Sequence, residues 1–152
     1  MLMRKRDFDR GRQLYGEVGC AACHRFVNEG GSMGPELTGV VGRFSVRDLL
    51  AATIEPNKII SDQYQAINVH KKDGDTVSGR VANLSEANVN IVEDMFDPGR
   101  MTGVRRADIE SIQPSTVSMM PEGLLNSLKE DEIQDLTAFL LSRGDSPHPM
   151  YR

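Results

Sequence analysis

The pattern of apolar and polar positions divides the chain into helical ends and a β-rich middle. Near the start, apolar side chains recur at helical spacing from Phe8 to Val18, directly behind Asp7, which is suited to an N-cap. This pattern predicts a helix over residues 7–19. A shorter apolar pattern predicts a second helix over residues 45–56.

From residue 63 to residue 114 the period changes. Apolar and polar positions alternate there, and Asp-Gly and Pro-Gly pairs interrupt the alternation. Period-two alternation between such turns is typical of antiparallel strands. We therefore expect a small sheet of four or five strands, inserted as a β-rich lobe over residues 63–114 of a single domain spanning residues 1–152.

Helical spacing returns near the end of the chain. Ser127 and Glu130 have the spacing of a capping box ahead of the apolar positions 133–141, and Gly144 is placed as a C-cap. Residues 28–43 contain five glycines and one proline, which predicts a long loop of the kind that wraps something. The expected fold is mainly α with a small antiparallel β insertion, α+β overall.

Charge and composition limit the kinds of partner and cofactor that the chain can bind. The net charge of −4 and the sequence pI of about 5.4 argue against nucleic acid. Aromatic residues make up only 5% of the chain and Trp is absent, so the core has room for a large flat group that the sequence does not encode. No run approaches the ~18 apolar residues of a membrane span, and no signal peptide is recognisable at the start.

The two cysteines of the chain lie in the stretch Cys20-Ala21-Ala22-Cys23-His24. This CxxCH spacing is the attachment pattern of c-type haem. Two thiols about one helical turn apart can each form a thioether to one vinyl group of the macrocycle, and the following imidazole then reaches the iron from the same side. The motif predicts one covalently attached haem c, with His24 as a ligand of the iron.

Three other interpretations of the motif stay open. A structural zinc site needs four ligands, and only one cysteine pair is present. A thioredoxin-like redox pair needs a strand before it and a helix after it, whereas this motif follows a predicted helix and precedes a glycine-rich loop. A simple disulfide between the two cysteines is the third.

Further stretches suggest a family. The segment GPELTG at residues 34–39 follows the motif, and Met120-Pro121 lies far downstream. Together with the flanking helices, they make the chain resemble a class I cytochrome c. The resemblance is closest to the planctomycete- and verrucomicrobial-type haem-binding domains, through SMMPEGLL at residues 118–125 and FLLSRGDSPHPM at residues 139–150, and it extends from about residue 11 to residue 151.

The resemblance implies roles for residues around the haem. The carbonyl oxygen of Pro35 would accept a hydrogen bond from the second ring nitrogen of His24, which would hold the imidazole in place. Leu37 would press on one haem face. Arg43 would bind a haem propionate, although a plain surface arginine is an equal alternative.

The sixth iron ligand is assigned by the same resemblance to Met120, because the family places its ligand before a proline such as Pro121. Methionine ligation favours the reduced state and raises the potential. The neighbouring Met119 is the second choice. His70, His148 or an open position are the remaining options.

The implied function is that of a periplasmic or otherwise extracytoplasmic electron carrier, not an enzyme. Its partners would be redox proteins, namely a dehydrogenase or another cytochrome. The first and last helices would enclose the haem and cross near Gly11 and Tyr15 on one helix and Leu136 and Leu140 on the other. The resemblance also allows the chain to be the C-terminal domain of a larger protein, or a homodimer.

Two rival functions accompany this interpretation. A loosely held sixth ligand would instead make the protein a haem-based ligand sensor or a peroxidase-like enzyme. The β lobe, in turn, would act as an interaction module that docks a dehydrogenase or self-associates.

Overall fold

The computed structural model describes residues 5–39 and 41–152; Val40, in the predicted loop, lies outside the described residues. The helices are α1 (Phe8–Glu17), α2 (Cys20–Cys23), α3 (Val46–Ile54) and α4 (Glu130–Leu141). The strands are β1 (Ile67–Lys71), β2 (Thr76–Leu84), β3 (Asn88–Val92), β4 (Met101–Arg105) and β5 (Ile109–Pro114). The chain forms two compact units, Met1–Glu55 with Glu122–Arg152, and Pro56–Pro121.

Helix α1 begins where the sequence predicts. The Asp7 carboxylate accepts a hydrogen bond from the backbone N–H of Arg10 at 3.0 Å, which satisfies one of the donors left unpaired at a helix start. The helix ends at Glu17, and Gly19 then takes the left-handed conformation with φ 94°. The prediction of a helix here is confirmed, with an end two residues earlier than expected.

Helices α1 and α4 pack closely against each other at Gly11. A Cβ atom on Gly11 would lie 2.8 Å from Cβ of Phe139 and would collide with the carbonyl oxygen of Asp135. The absence of a side chain therefore permits the crossing. Around it lies the core of this unit, which consists of buried apolar side chains: Leu14, Tyr15, Phe26, Val41, Leu49, Leu125, Leu136, Phe139 and Leu140.

The start of α4 differs from the prediction. The Glu132 carboxylate accepts from the backbone N–H of Lys129 at 3.0 Å, and the helix begins at Glu130. The predicted capping box of Ser127 and Glu130 is therefore wrong by two residues. The difference arises because a turn precedes the helix, in which the N–H of Leu128 bonds the carbonyl of Leu125 at 3.0 Å. Ser127 lies within that turn and cannot cap the helix.

The end of α4 and the tail are more ordered than predicted. Ser142, rather than Gly144, is the C-cap, and Gly144 follows in the left-handed region with φ 70°. The tail forms a 3-10 turn over Pro149–Tyr151. The Tyr151 hydroxyl lies 2.8 Å from the Ser142 hydroxyl, so the tail packs against the end of α4.

Helix α3 confirms the second helical prediction. The hydroxyl of Ser45 accepts from the N–H of Asp48 at 3.1 Å. The helix ends at Ile54, two residues before Pro56, because a proline disfavours helical backbone in the residue before it. Among the helices of the described residues, none is long and apolar enough to cross a membrane.

The other unit contains an antiparallel sheet with the strand order β4-β3-β2-β1-β5. Strands β4 and β5 lie at opposite ends of this order, yet only residues 106–108 connect them. Such a link spans at most about 14 Å, whereas four strand spacings in a flat sheet need about 19 Å. The sheet must therefore be strongly curled, and this curled sheet is called the barrel below.

The connection between β4 and β5 is held at both ends of its 3-10 turn. The N–H of Arg106 bonds the carbonyl of Ala87 at 2.8 Å, and the carbonyl of Asp108 accepts from Lys72 at 2.8 Å. The barrel interior is filled by apolar side chains, of which Val69, Val89, Ile91 and Val104 are fully buried. The five strands thus lie within residues 67–114. Residues Asp62–Tyr64, part of which was expected to be strand, form a 3-10 turn instead.

Candidate functional site

The two cysteines lie at the first and last positions of α2. The helix is a single turn, and Gly19 at its start allows the sharp change of direction from α1 with φ 94°. Residues three apart lie on the same face of a helix, so α2 presents both thiols on one side. His24 leaves the helix in extended conformation, and its backbone N–H bonds the carbonyl of Cys20 at 2.9 Å.

The imidazole of His24 is held at one ring nitrogen. Nδ1 lies 2.7 Å from the carbonyl oxygen of Pro35. A carbonyl only accepts hydrogen bonds, so Nδ1 carries the proton and Nε2 of the neutral ring has its lone pair available. Burial lowers the pKa of His24, and the bond to Pro35 acts against this. The ring is therefore a neutral imidazole, the form that binds a metal.

The glycine-rich loop wraps the motif itself. The N–H of Gly31 bonds the carbonyl of Ala21 at 2.9 Å, and the N–H of Gly34 bonds the carbonyl of Cys23 at 2.7 Å. A Cβ atom on Gly34 would lie only 2.8 Å from Cε1 of the His24 ring. The loop backbone can follow the CxxCH turn this closely because Gly34 has no side chain.

Neither of the two sulfur-based alternatives, the disulfide and the thioredoxin-like pair, is supported by the described residues. Burial raises the pKa of the Cys20 thiol to about 11, so this sulfur is protonated at neutral pH. Cys20 and Cys23 are not joined in a disulfide. The motif is preceded by α1 and followed by a loop, with no strand beside it in the described part of the chain, unlike a thioredoxin-like pair.

A zinc site finds no support in the donor groups. Within the residues that the structure describes, no group of three or more His, Cys, Asp or Glu side chains has the arrangement of a metal site. His70 lies on β1, where Nδ1 contacts the Thr76 hydroxyl at 3.0 Å. Nδ1 of His148 accepts from the N–H of Met150 at 3.3 Å and thereby caps the tail.

Of the other predicted site residues, Leu37 and Arg43 belong to the same unit as the motif. Leu37 is partly buried against the core cluster, against which Cys20 also packs. Arg43 is exposed at the end of the 3-10 turn Val41–Arg43. The described contacts bring together the CxxCH motif, Pro35 and Gly34, and they leave the Arg43 guanidinium at the surface.

Met119 and Met120 lie at the end of the unit Pro56–Pro121. Both side chains are partly buried. The N–H of Met120 bonds the Ser118 hydroxyl at 3.1 Å, and the N–H of Ser118 bonds the amide oxygen of Asn57 at 2.6 Å. The backbone leading into Met120 is therefore held by side chains of its own unit. The choice between the two methionines stays a prediction.

Sequence reasoning missed one contact of the motif. The hydroxyl of Tyr15, on α1, donates to the backbone carbonyl oxygen of His24 at 2.8 Å. Burial raises the pKa of Tyr15, so the hydroxyl keeps its proton. In the sequence, Tyr15 fits the apolar periodicity of α1, which predicts only that its ring is buried. The available signal was its type, because a buried tyrosine hydroxyl normally finds a partner.

These residues fit a covalently bound haem. Two thiols on one helical turn and a neutral imidazole with Nε2 available are the donors that such a group requires. The Pro35 carbonyl holds that ring in the necessary tautomer. The fold and the site thus define a protein of the c-type haem class.

Comparison with known proteins identifies the family. The model of the cytochrome c family matches residues 8–94, more than half of the chain, and the chain belongs to the cytochrome c family. This family binds haem c covalently and supplies electron-transfer domains, which are typically extracytoplasmic. No curated protein matches the chain. The family match includes the CxxCH motif and ends before Met120.

Proposed function

We propose that this protein carries single electrons through one haem c, attached to Cys20 and Cys23 and ligated by His24 and Met120. The carrying observation is the hydrogen bond of His24 to Pro35, 2.7 Å long, which leaves Nε2 available beside two cysteines on one helical turn. Membership of the cytochrome c family supports the same function.

The haem, when bound, supplies an iron that changes oxidation state by one electron. The protein residues hold and tune it. His24 binds through Nε2, and the Pro35 carbonyl orients its ring and makes it a better donor. Leu37 would cover one face of the haem, and the Arg43 guanidinium would bind a propionate unless it is a plain surface arginine. The thioether sulfur of Met120 favours the reduced state.

We further propose that the barrel is an insertion into a single cytochrome c domain. Its residues, Pro56–Pro121, lie in the sequence between the two segments of the other unit. The predicted lobe, residues 63–114, accounts for more than half of the sequence separation between His24 and Met120. We also propose that the chain is related to the planctomycete- and verrucomicrobial-type haem-binding domains. Like them, it would form the C-terminal domain of a larger protein, or else it would be a homodimer.

The proposed carrier is not an enzyme and exchanges electrons with other proteins, a dehydrogenase or another cytochrome. A periplasmic or other extracytoplasmic location is proposed because cytochrome c domains are typically found there. His24 would supply one iron ligand through Nε2 and Met120 a second through its sulfur, so the iron would have no open position. Small ligands would then bind slowly.

The experiment starts from the protein produced with haem-attachment machinery. Its mass and an acidic organic extraction report whether haem is covalently bound; colour that extracts away from the chain, or the mass of the bare polypeptide, would overturn the proposal. Cys20→Ala combined with Cys23→Ala should abolish attachment.

The sixth ligand is tested on the same material. The oxidised protein should have the weak far-red absorption band of sulfur ligation, and this band should vanish in Met120→Ala and persist in the matched variant Met119→Ala. The reverse result would assign Met119. Rapid, tight binding of carbon monoxide or cyanide by the unmodified protein would favour the ligand sensor or peroxidase-like enzyme instead.

A further inference from the structure

The backbone of His24 is held by a side chain from a different helix. The Tyr15 hydroxyl of α1 donates to the His24 carbonyl oxygen at 2.8 Å. Nine positions separate the two residues in sequence. The contact therefore links the CxxCH turn to the helix that packs against α4.

The position of the Tyr15 ring is determined by packing. Tyr15 is 7% exposed. Its ring lies 5.5 Å from the ring of Phe26 and 5.8 Å from the ring of Phe139, measured between centroids. Buried aromatic rings in such contact have little freedom to move. The hydroxyl is thus a rigidly placed donor.

His24 is consequently held at both ends. Its carbonyl accepts from Tyr15 at 2.8 Å, and Nδ1 of its ring bonds the carbonyl of Pro35 at 2.7 Å. Between these two bonds lie the few torsions that aim Nε2. Constraining both ends of a ligand residue lowers its freedom to reorient, which is how residues outside the coordination shell tune a metal site.

We infer that Tyr15 is a positioning residue for the iron ligand His24. The inference rests on the proposed function, since it assigns His24 to the iron, and it adds a residue that does not touch the haem iron. Tyr15 acts through the backbone of His24, whereas Pro35 acts through the ring. Removing the Tyr15 hydroxyl should loosen the orientation of the imidazole and leave the imidazole and both thiols of the motif in place.

The experiment compares two isosteric variants of the haem-loaded full chain, Tyr15→Phe and Tyr151→Phe. Each removes one hydroxyl that makes one hydrogen bond at 2.8 Å, the first to His24 and the second to Ser142. Tyr151 packs on Phe8 at 5.4 Å and belongs to the same unit. The pair therefore separates loss of a hydrogen bond in general from loss of the bond to His24.

The readouts are nuclear magnetic resonance measurements on His24. In Tyr15→Phe, the His24 ring protons of the oxidised protein should shift, and exchange of the Nδ1 proton with solvent should accelerate roughly twofold to tenfold, the change expected for one neutral hydrogen bond. In Tyr151→Phe, the His24 ring-proton shifts and the Nδ1 exchange rate should equal those of the unmodified protein. Resistance to denaturant should fall by similar amounts in the two variants.

Two results overturn the inference. One is unchanged His24 signals and Nδ1 exchange in Tyr15→Phe. The other is an equal change in Tyr151→Phe, which would make the effect one of general stability. Either leaves covalent haem and electron transfer in place, so the proposed function would stand. An unmodified chain without covalent haem would contradict both proposals, and mass alone reveals that case.

Discussion

Gly34 lies against the imidazole of His24, so that a Cβ atom on Gly34 would be 2.8 Å from Cε1 and 2.9 Å from Nδ1 of that ring. Nδ1 is the ring atom that makes the 2.7 Å hydrogen bond to the carbonyl of Pro35, and Cε1 is its neighbour in the ring. Any side chain at position 34 must therefore displace the imidazole or the loop. The close approach of Gly34 thus restricts where the imidazole ring can lie.

The first prediction concerns this contact. Gly34→Ala should lower the free energy of unfolding by roughly 1–3 kcal/mol, the usual cost of an extra carbon in a filled space, and should lower the fraction of protein carrying covalent haem. Denaturant titration and mass measurement report the two effects. Gly99→Ala is the control, since a Cβ there meets no atom within 4 Å; equal behaviour of both variants would refute the contact's importance.

Local sequence patterns predicted most of the helices and strands. Asp7 and Ser45 cap their helices through the side-chain bonds expected of those residue types. Alternation placed the strands because side chains in a strand point to opposite faces in turn. The start of α4 was misplaced, since Ser127 and Glu130 have the spacing of a capping box but Leu125–Leu128 already forms a turn.

What the sequence did not predict depends on contacts between distant segments. The curl of the sheet follows from the short link between β4 and β5, which lie at opposite ends of the strand order. Alternation carries no information on strand order. The motif located Cys20, Cys23 and His24. The bond from Tyr15 requires the fold, because a tyrosine in an apolar helical pattern signals burial without naming its partner.

The second prediction concerns the crossing of α1 and α4. Gly11→Ala should lower the free energy of unfolding by about 1–3 kcal/mol or more, because the new methyl group meets the Asp135 carbonyl and Cβ of Phe139. The control is Gly16→Ala on the same helix, where a Cβ meets nothing within 4 Å. This change should raise the free energy of unfolding by up to about 1 kcal/mol through helix propensity.

Chemical denaturation of the two glycine variants side by side provides the measurement. Equal destabilisation by Gly11→Ala and Gly16→Ala would mean that the crossing is looser than the described contacts indicate. The opposite signs expected here make the comparison insensitive to small errors in either value.

The third prediction concerns acid. The Arg10 guanidinium hydrogen-bonds the Glu132 carboxylate, and this bond, followed by the one from the N–H of Lys129, lowers the pKa of Glu132. A group whose pKa is lowered by folding stabilises the protein above its unfolded pKa, and this contribution disappears as the pH falls through the folded value. Glu132→Gln should therefore be less stable than the unmodified protein at neutral pH and equally stable in strong acid.

Denaturant midpoints measured from pH 7 down to pH 2 test this dependence. The exposed Glu86→Gln is the matched control. A stability difference between Glu132→Gln and the unmodified protein that stays constant across the whole range would exclude the ion pair with Arg10 as its cause.

The last prediction concerns the barrel. Ile91 is fully buried and Ile112 is 46% exposed, and both belong to the same sheet. Ile91→Ala should lower the free energy of unfolding of the barrel by about 2–5 kcal/mol, because it removes buried carbons and leaves a cavity. Ile112→Ala removes the same atoms from a position already partly in water and should cost much less. Hydrogen exchange at the amides of β1 and β3 measures both, and similar exchange rates in the two variants would contradict an interior built around Val69, Val89, Ile91 and Val104.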